Sequence, residues 1–264
     1  PSGIPASIPD SQVNLMELSP VPARPAPGFT LTDQDGRVLP LSAFHGKVVV
    51  LEFMDPHCTD ICPIVSAEFT DAYRDLGRQA GQVVFAAVNV NQYHHAVADV
   101  AAYSRAHQLT SIPSWHFLTG PAPRLRAVWN AYNITVQAPG PDADIVHSSV
   151  VYFIDPGGRE RYLASPQADH TTSGASYLPA DQIAAWGRGI AQVATLLAGW
   201  PAERHGSAVT CVAGNRRWSR SGGTRAQSRQ PAVSLAYCYR QLLLLARSTR
   251  GWAWLPGGAT RPLI

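Results

Sequence analysis

No stretch of this 264-residue chain reaches the roughly 18 to 20 consecutive apolar residues that a membrane-crossing helix needs, which excludes a helical span of that kind within it. Acidic residues and lysine are absent from residues 205–264, and the whole chain has a single lysine, Lys47. Residues 1–204 hold Lys47, 11 arginines and all 18 acids, a balance of 12 − 18 = −6, whereas residues 205–264 carry 9 arginines with nothing to offset them. The formal charge of +3 is therefore made by the tail, and a nucleic-acid-binding reading would rest wholly on it. No nucleic-acid partner is expected. The chain also lacks an initial methionine; it starts at Pro1, and residues 1–28 contain Pro1, Pro5, Pro9, Pro20, Pro22, Pro25 and Pro27 among small and polar residues. That segment reads as an extended tether, with a signal or membrane anchor expected before it.

With 45% hydrophobic and 15% charged residues, the chain can bury a full core, as one medium domain or two small ones. Phe29-Thr30-Leu31 and Val38-Leu39-Pro40-Leu41 flank Asp35-Gly36, a hairpin signal. Val48 to Phe53 is an apolar run broken only by Glu52, the mark of a strand buried on both faces. Ile61, Val65, Phe69, Tyr73 and Leu76 then recur at helical spacing. Further on come a strand at Val83 to Val90, a helix at Val97 to His107, a strand at Trp115 to Leu118 and a helix at Leu125 to Tyr132. His147 to Ile154, the turn Asp155-Pro156-Gly157-Gly158 and Arg159 to Leu163 form an antiparallel hairpin. A last helix carries Ile183, Trp186, Ile190, Val193, Leu197 and Trp200 on one stripe. This order describes an α/β fold, a thioredoxin-like three-layer sandwich with a mixed central sheet and an N-terminal hairpin. The expected organisation is a tether at 1–28, the domain at 29–200 and an unpatterned basic tail at 201–264.

Residues 53–63 read F-M-D-P-H-C-T-D-I-C-P, with Cys58 and Cys62 at the junction between a buried strand and the helix behind it. Open α/β sheets place their chemistry at such carboxyl ends. Pro63 is tolerated only in a first helical turn, so the helix begins near Asp60, a good N-cap, with Cys62 in its first turn and Cys58 in the loop entering it. Unpaired amides and the helix dipole there favour thiolate over thiol. Three intervening residues make a wider loop than the redox C-x-x-C, wide enough for an ion yet compatible with a disulfide. A structural disulfide, a redox couple and a metal clamp all remain open on spacing, although a bridge over so short a loop restrains the unfolded chain little.

The stretches "VVVLEFMDPHCTDICPIV", "WHFLTG" with "LRAVWNAYNI", and "VHSSVVYFIDPGGRERYL" together resemble the SCO/SenC family of thioredoxin-like copper-binding proteins, over residues 26 to about 200. The resemblance implies that Cys58, Cys62 and His147 bind one copper ion, as Cu(I) or Cu(II). It further implies a metallochaperone that helps load the dinuclear copper centre of cytochrome c oxidase, with the copper-bearing oxidase subunit as partner and another copper chaperone or a thiol reductant as further partners. It places the protein outside the cytoplasm, periplasmic or on the outer face of the cell membrane, held there by the preceding anchor. The donor types agree: two thiolates and an imidazole suit copper and are poorly matched to magnesium or calcium. The alternative is an extracytoplasmic thiol-disulfide oxidoreductase in which Cys58 attacks a target and Cys62 resolves the mixed disulfide.

The chain departs from the family pattern at Thr59, where a proline is usual, at Val146, where an acid commonly precedes the histidine, and in "VNVNQYHH", where an acidic segment is missing. A ligating His147 would need Asp144 or a backbone carbonyl to fix its tautomer. His57 is either an extra ligand or a solvated loop residue. His94 and His95 read as an exposed pair at a helix start. Trp115, His116, Trp129 and Tyr132 read as packing of the sheet and its covering helix. Residues 205–264 read as disordered or as a GC-rich gene translated out of frame, with a basic arm for anionic lipid or nucleic acid the other reading, and Cys211 and Cys238 are set aside with them.

Overall fold

The computed structural model describes residues 3–199. Trp200 and the basic tail, with Cys211 and Cys238, lie outside the described residues. A short helix α1 (Asp10–Leu15) and strand β1 (Ser19–Pro25) precede a hairpin of β2 (Thr30–Thr32) and β3 (Val38–Pro40). Then come β4 (Val48–Met54), α2 (Ile61–Leu76), β5 (Val83–Asn89), α3 (Val97–Ala106), β6 (Trp115–Leu118) and α4 (Ala122–Ala131). Two short strands, β7 (Val136–Gln137) and β8 (Val146–His147), lead to β9 (Val151–Ile154) and β10 (Arg159–Ala164). A minor ladder of β11 (Asp169–His170) and β12 (Ser176–Tyr177) is followed by α5 (Ala180–Ala198).

The main sheet runs β1-β10-β9-β4-β5-β6. Its β4, β5 and β6 are parallel, while β9, β10 and β1 each run antiparallel to their neighbours. Every residue of β4 and β5 is buried, which is why both strands are nearly continuous in Val, Leu, Phe and Ala. Alternation along β4 divides the core in two. Val48, Val50 and Met54 pack with Val65 and Phe69 of α2 and with Trp186 and Ile190 of α5. Val49, Leu51 and Phe53 pack on the other side with Leu31 of the hairpin and with Leu125 and Trp129 of α4. Helices therefore cover both faces, giving the mixed-sheet, thioredoxin-like sandwich that the strand and helix order leads one to expect.

The proline-rich segment is the main difference from the sequence reading. Of the segment 1–28, the described residues 3–28 do not run free as a tether; α1 packs on α5, with Gln12 Nε2 donating to Ala185 O at 3.0 Å, and β1 forms the edge of the sheet beside β10. Burial of Ile8, Met16 and Leu18 holds the segment down. An edge strand tolerates proline because one row of its amides needs no partner, so Pro20, Pro22 and Pro25 cost little there. Arg24 closes the edge, its Nε 2.6 Å from the buried Glu160 carboxylate. A second difference concerns His147. The run expected to extend unbroken to Ile154 is divided, because Val146–His147 pairs with Val136–Gln137 and only Val151–Ile154 joins the main sheet.

Helices α2 and α5 approach closely because glycine faces the contact. A Cβ at Gly187 would lie 2.7 Å from Asp71 Cβ and 3.0 Å from the Ala72 amide nitrogen, and the α2 backbone cannot yield as a side-chain tip could. Gly187→Ala is expected to destabilise the domain by roughly 1–3 kcal/mol through overpacking, read as a lower midpoint in thermal and urea melts. An unchanged midpoint would show that the two helices separate freely.

Candidate functional site

Strand β4 delivers the chain to the carboxyl edge of the sheet at Asp55, and the loop that follows is tied down by that one side chain. Asp55 Oδ1 accepts the His57 amide at 2.8 Å and the Asn91 side-chain amide at 3.0 Å, while its carbonyl accepts the Cys58 amide at 3.1 Å. Helix α2 then starts at Ile61 with Cys62 in its first turn, as the proline requires. Asp60 stands at the N-cap position but makes no side-chain cap; its carboxylate hydrogen-bonds to the Ser176 hydroxyl instead.

The loop forms the floor of a cleft of about 840 Å³. One wall is Asn91 and His94, another is residues 141–147, and Gly174 to Ser176 close the far side. Cys58 and His147, 89 residues apart, both line it, and buried Cys62 lies beneath Cys58. Asp55, Asp60, Asp142 and Asp144 face the cleft with three imidazoles, and no lysine or arginine is among its lining residues.

Among the described residues Cys58 and Cys62 are both unbridged. They share one proton unequally. Hydrogen bonding from the Cys62 thiol, aided by the Cys62 and Asp60 amides, brings the half-buried Cys58 down to about 7 against the opposing effect of its burial. The Asp60 N–H lies 3.4 Å from Cys58 Sγ. Cys62 goes the other way: donating to Cys58, burial and the nearby Cys58 charge push it well above the ordinary thiol value. The expectation that the helix start favours both thiolates therefore holds for Cys58 and fails for Cys62.

His147 is mostly shielded, and that burial lowers its pKa, so the ring is neutral at pH 7, the form that can ligate. Its Nδ1 lies 3.0 Å from the Ser148 carbonyl. With Nδ1–H donating there, the Nε2 lone pair is left free; a backbone carbonyl serves where Asp144 was the other option. His57 and His94 also line the cleft, with rings stacked at 3.9 Å, so His94 is half-buried and partnered rather than solvent-exposed. His95 is half-buried as well, and its carbonyl accepts the Thr119 hydroxyl at 2.8 Å. His116 contacts Asp33 and Phe44, and Trp115, Trp129 and Tyr132 are core residues.

Three acids escaped the sequence reading as participants. Asp55 organises the loop, and its signal was a lone acid three residues before the first cysteine. Glu52 and Glu68 are buried, and desolvation raises both, Glu52 to about 8 in spite of the Ser149 hydroxyl at 3.2 Å. Glu52 is therefore mostly protonated at pH 7, and Glu68 holds its proton well above the usual carboxylate range. Glu52 was visible as the single break in the apolar run, but a strand reading gives an interior acid no partner and hence no role.

Comparison with known proteins bears on family and fold. The SCO1/SenC family profile matches residues 20–176. The chain is 25% identical over 133 residues to the SCO1 protein homolog of Bacillus subtilis, spanning 50% of this chain and 68% of that protein. It is 30% identical over 138 residues to the mitochondrial SCO2 homolog of Bos taurus, and there covers 49% of this chain and about half, 50%, of the relative. A shorter stretch of 58 residues is 41% identical to a chloroplastic peroxiredoxin Q of Populus jackii, 22% of this chain and 27% of that one. In fold, it matches the structure of Bradyrhizobium japonicum ScoI with copper bound at a TM-score of 0.51 and 21% identity, over 66% of this chain and 99% of that one.

Two measurements probe these electrostatics. Alkylation of the reduced protein by iodoacetamide is expected to strike Cys58 with a rate that rises to half its plateau near pH 7, leaving Cys62 unlabelled, as mapped by peptide mass spectrometry. Equal labelling of both would contradict the asymmetry. Glu52 affects stability rather than rate. Its folded value lies above its ordinary one, so its contribution is fully present below about pH 4.5 and is lost as pH rises through about 8. By pH 8 the loss reaches about 4 kcal/mol, and Glu52→Gln is expected to flatten the fall in urea-unfolding free energy between pH 5 and 8. Parallel pH profiles for the two proteins would mean that Glu52 is already ionised.

Proposed function

From the premise that this chain belongs to the SCO1/SenC family, we propose that it is a copper chaperone that holds one copper ion between Cys58, Cys62 and His147 and passes it to the copper-bearing subunit of cytochrome c oxidase. The observation that carries the reading is that Cys58 and His147 line one cleft, where their donor atoms and that of Cys62 do not all lie within 4.8 Å of one another, with a neutral imidazole whose Nδ1 is engaged by the Ser148 carbonyl. Two sulfurs and that imidazole would supply three donors, a set suited to Cu(I) and, with a fourth ligand added, to Cu(II). Copper is cargo here, so the site has to release it, and an open cleft allows an incoming ligand to replace one sulfur at a time. The acidic lining draws cations inward and favours a basic face on the recipient. Bradyrhizobium japonicum ScoI, whose fold this chain matches, is known with copper bound, which supports the same reading. The site of action in this proposal is extracytoplasmic, where a thiol reductant keeps the pair ready to load.

The unequal thiols favour a second use of the same pair. Cys58, half-buried and close to half-ionised at neutral pH, can attack a disulfide sulfur of a client; Cys62 then gives up its proton, attacks Cys58 of the mixed disulfide, and the client leaves reduced while Cys58–Cys62 is oxidised. The His147 imidazole has no part in that exchange. His147→Ala is therefore expected to abolish stable Cu(II) binding and weaken Cu(I) binding while the Cys58/Cys62 reduction potential moves little. Cys58→Ala and Cys62→Ala should each remove both properties. Metal content after dialysis against a competing chelator and a glutathione redox titration of each variant supply the test. Reduced wild type that binds no copper yet turns over disulfides would establish the exchange reading and leave His147 a bystander.

A further inference from the structure

The histidines at the cleft rim are not explained by the copper site described above. His57 leaves the loop after β4, His94 the loop after β5, and Asp99 the first turn of α3, yet one ligand atom from each lies within 4.8 Å of the others. We infer that His57, His94 and Asp99 form a second metal site, one that takes a divalent transition ion such as Zn(II) or Cu(II) without help from the cysteines.

The chemistry of the set supports that assignment. Two imidazoles and a carboxylate are borderline to hard donors, matched to divalent zinc, nickel or copper and unlike the thiolates below. Each backbone segment is held in advance. The His57 amide is fixed by Asp55 Oδ1 at 2.8 Å, the His94 amide by Asn91 Oδ1 at 3.0 Å, and the His94 carbonyl by the Asn89 side-chain amide at 2.9 Å. His94 Nε2 meets the Pro141 carbonyl at 3.1 Å, so one ring nitrogen donates outward and the other keeps its lone pair, the usual support for a ligating imidazole. Asp99 accepts the Ala96 amide through Oδ2 at 2.9 Å, and a carboxylate so engaged retains acceptor capacity for a cation. The rings now stack at 3.9 Å and 20°, and binding one ion requires them to fan apart by rotation about their side-chain bonds. His57 is exposed and stands next to Cys58, so an ion at the rim is one residue from the thiolate.

The competing account is a stacked aromatic pair that only packs, and zinc uptake by a thiol-free chain separates the two. In the full chain with Cys58, Cys62, Cys211 and Cys238 all changed to serine, equilibrium dialysis against zinc chloride is expected to load one zinc per chain at the rim. His57→Ala and His94→Ala should each weaken that uptake by about tenfold or more, and Asp99→Asn by about tenfold. His147→Ala in the same background should leave it unchanged, so failure of the copper proposal and failure of this one are told apart. No zinc uptake in the thiol-free chain, or uptake indifferent to both His57→Ala and His94→Ala, overturns the inference. Should His94→Ala lose its folded circular-dichroism spectrum, exposed His57 supplies the deciding variant.

Discussion

The site depends on where a dry strand has to stop. Strand β4 is buried along its whole length between β9 and β5, with its ladder to β5 running to Met54 and its ladder to β9 from Val49 to Leu51. Beyond that point the peptide groups lose their ladder, and buried polar groups without partners are costly. Asp55 supplies the replacement: one carboxylate oxygen takes an amide from its own loop and another from Asn91 beyond β5. The position of Cys58, the entry of α2 and the seat of His57 all follow from that pair of bonds. The same end of the sheet then becomes the only place where the loop after β4, the loop after β5 and the segment before β9 converge on one cleft among the described residues.

Acid protons are the second organising element. By strand alternation Glu52 points to the α2 side, where Glu68 and Cys62 are also buried, so three acidic groups share one dry region that raises the pKa of each. Cys58 is the exception, because the Cys62 proton and two amides serve it. Both proposed uses of the pair, chelation and disulfide formation, require the Cys62 proton to leave, and both therefore become easier as pH rises. Function and stability consequently pull in opposite directions across the neutral range, since the Glu52 contribution to folding declines over the same interval.

Much of this was legible in the sequence. Continuous apolar runs identify β4 and β5, a 3.6-residue stripe identifies α2 and α5, and Pro63 places Cys62 in a first turn, because each of these signals is local and each has a single physical cause. The N-terminal segment was misread for the opposite reason: a proline-rich string looks alike whether it floats in water or lies along a sheet edge, and the distinguishing residues, Ile8, Met16 and Leu18, are three apolar side chains without a period. The stacking of His57 on His94 was out of reach, since it joins two loops through a sheet whose strand order no local pattern reveals. The divided thiol acidity also needed depth, as Cys58 and Cys62 differ in burial by an amount that spacing does not encode.

The two-residue ladder of β7 and β8 gives the cleft an unusual construction. The sulfurs are mounted on the central strand and its helix, whereas the imidazole is mounted on a clip that pairs only Val136 with His147 and Gln137 with Val146 and stays out of the six-stranded sheet. The cleft is thus a vice with one fixed jaw and one light jaw. Pulling the light jaw back breaks its short ladder and the Ser148–Thr135 backbone bond and lifts Val136 and Ile145 from the edge of the core, so under the proposed ligand set the donors drop from three to two while the six-stranded sheet stays paired.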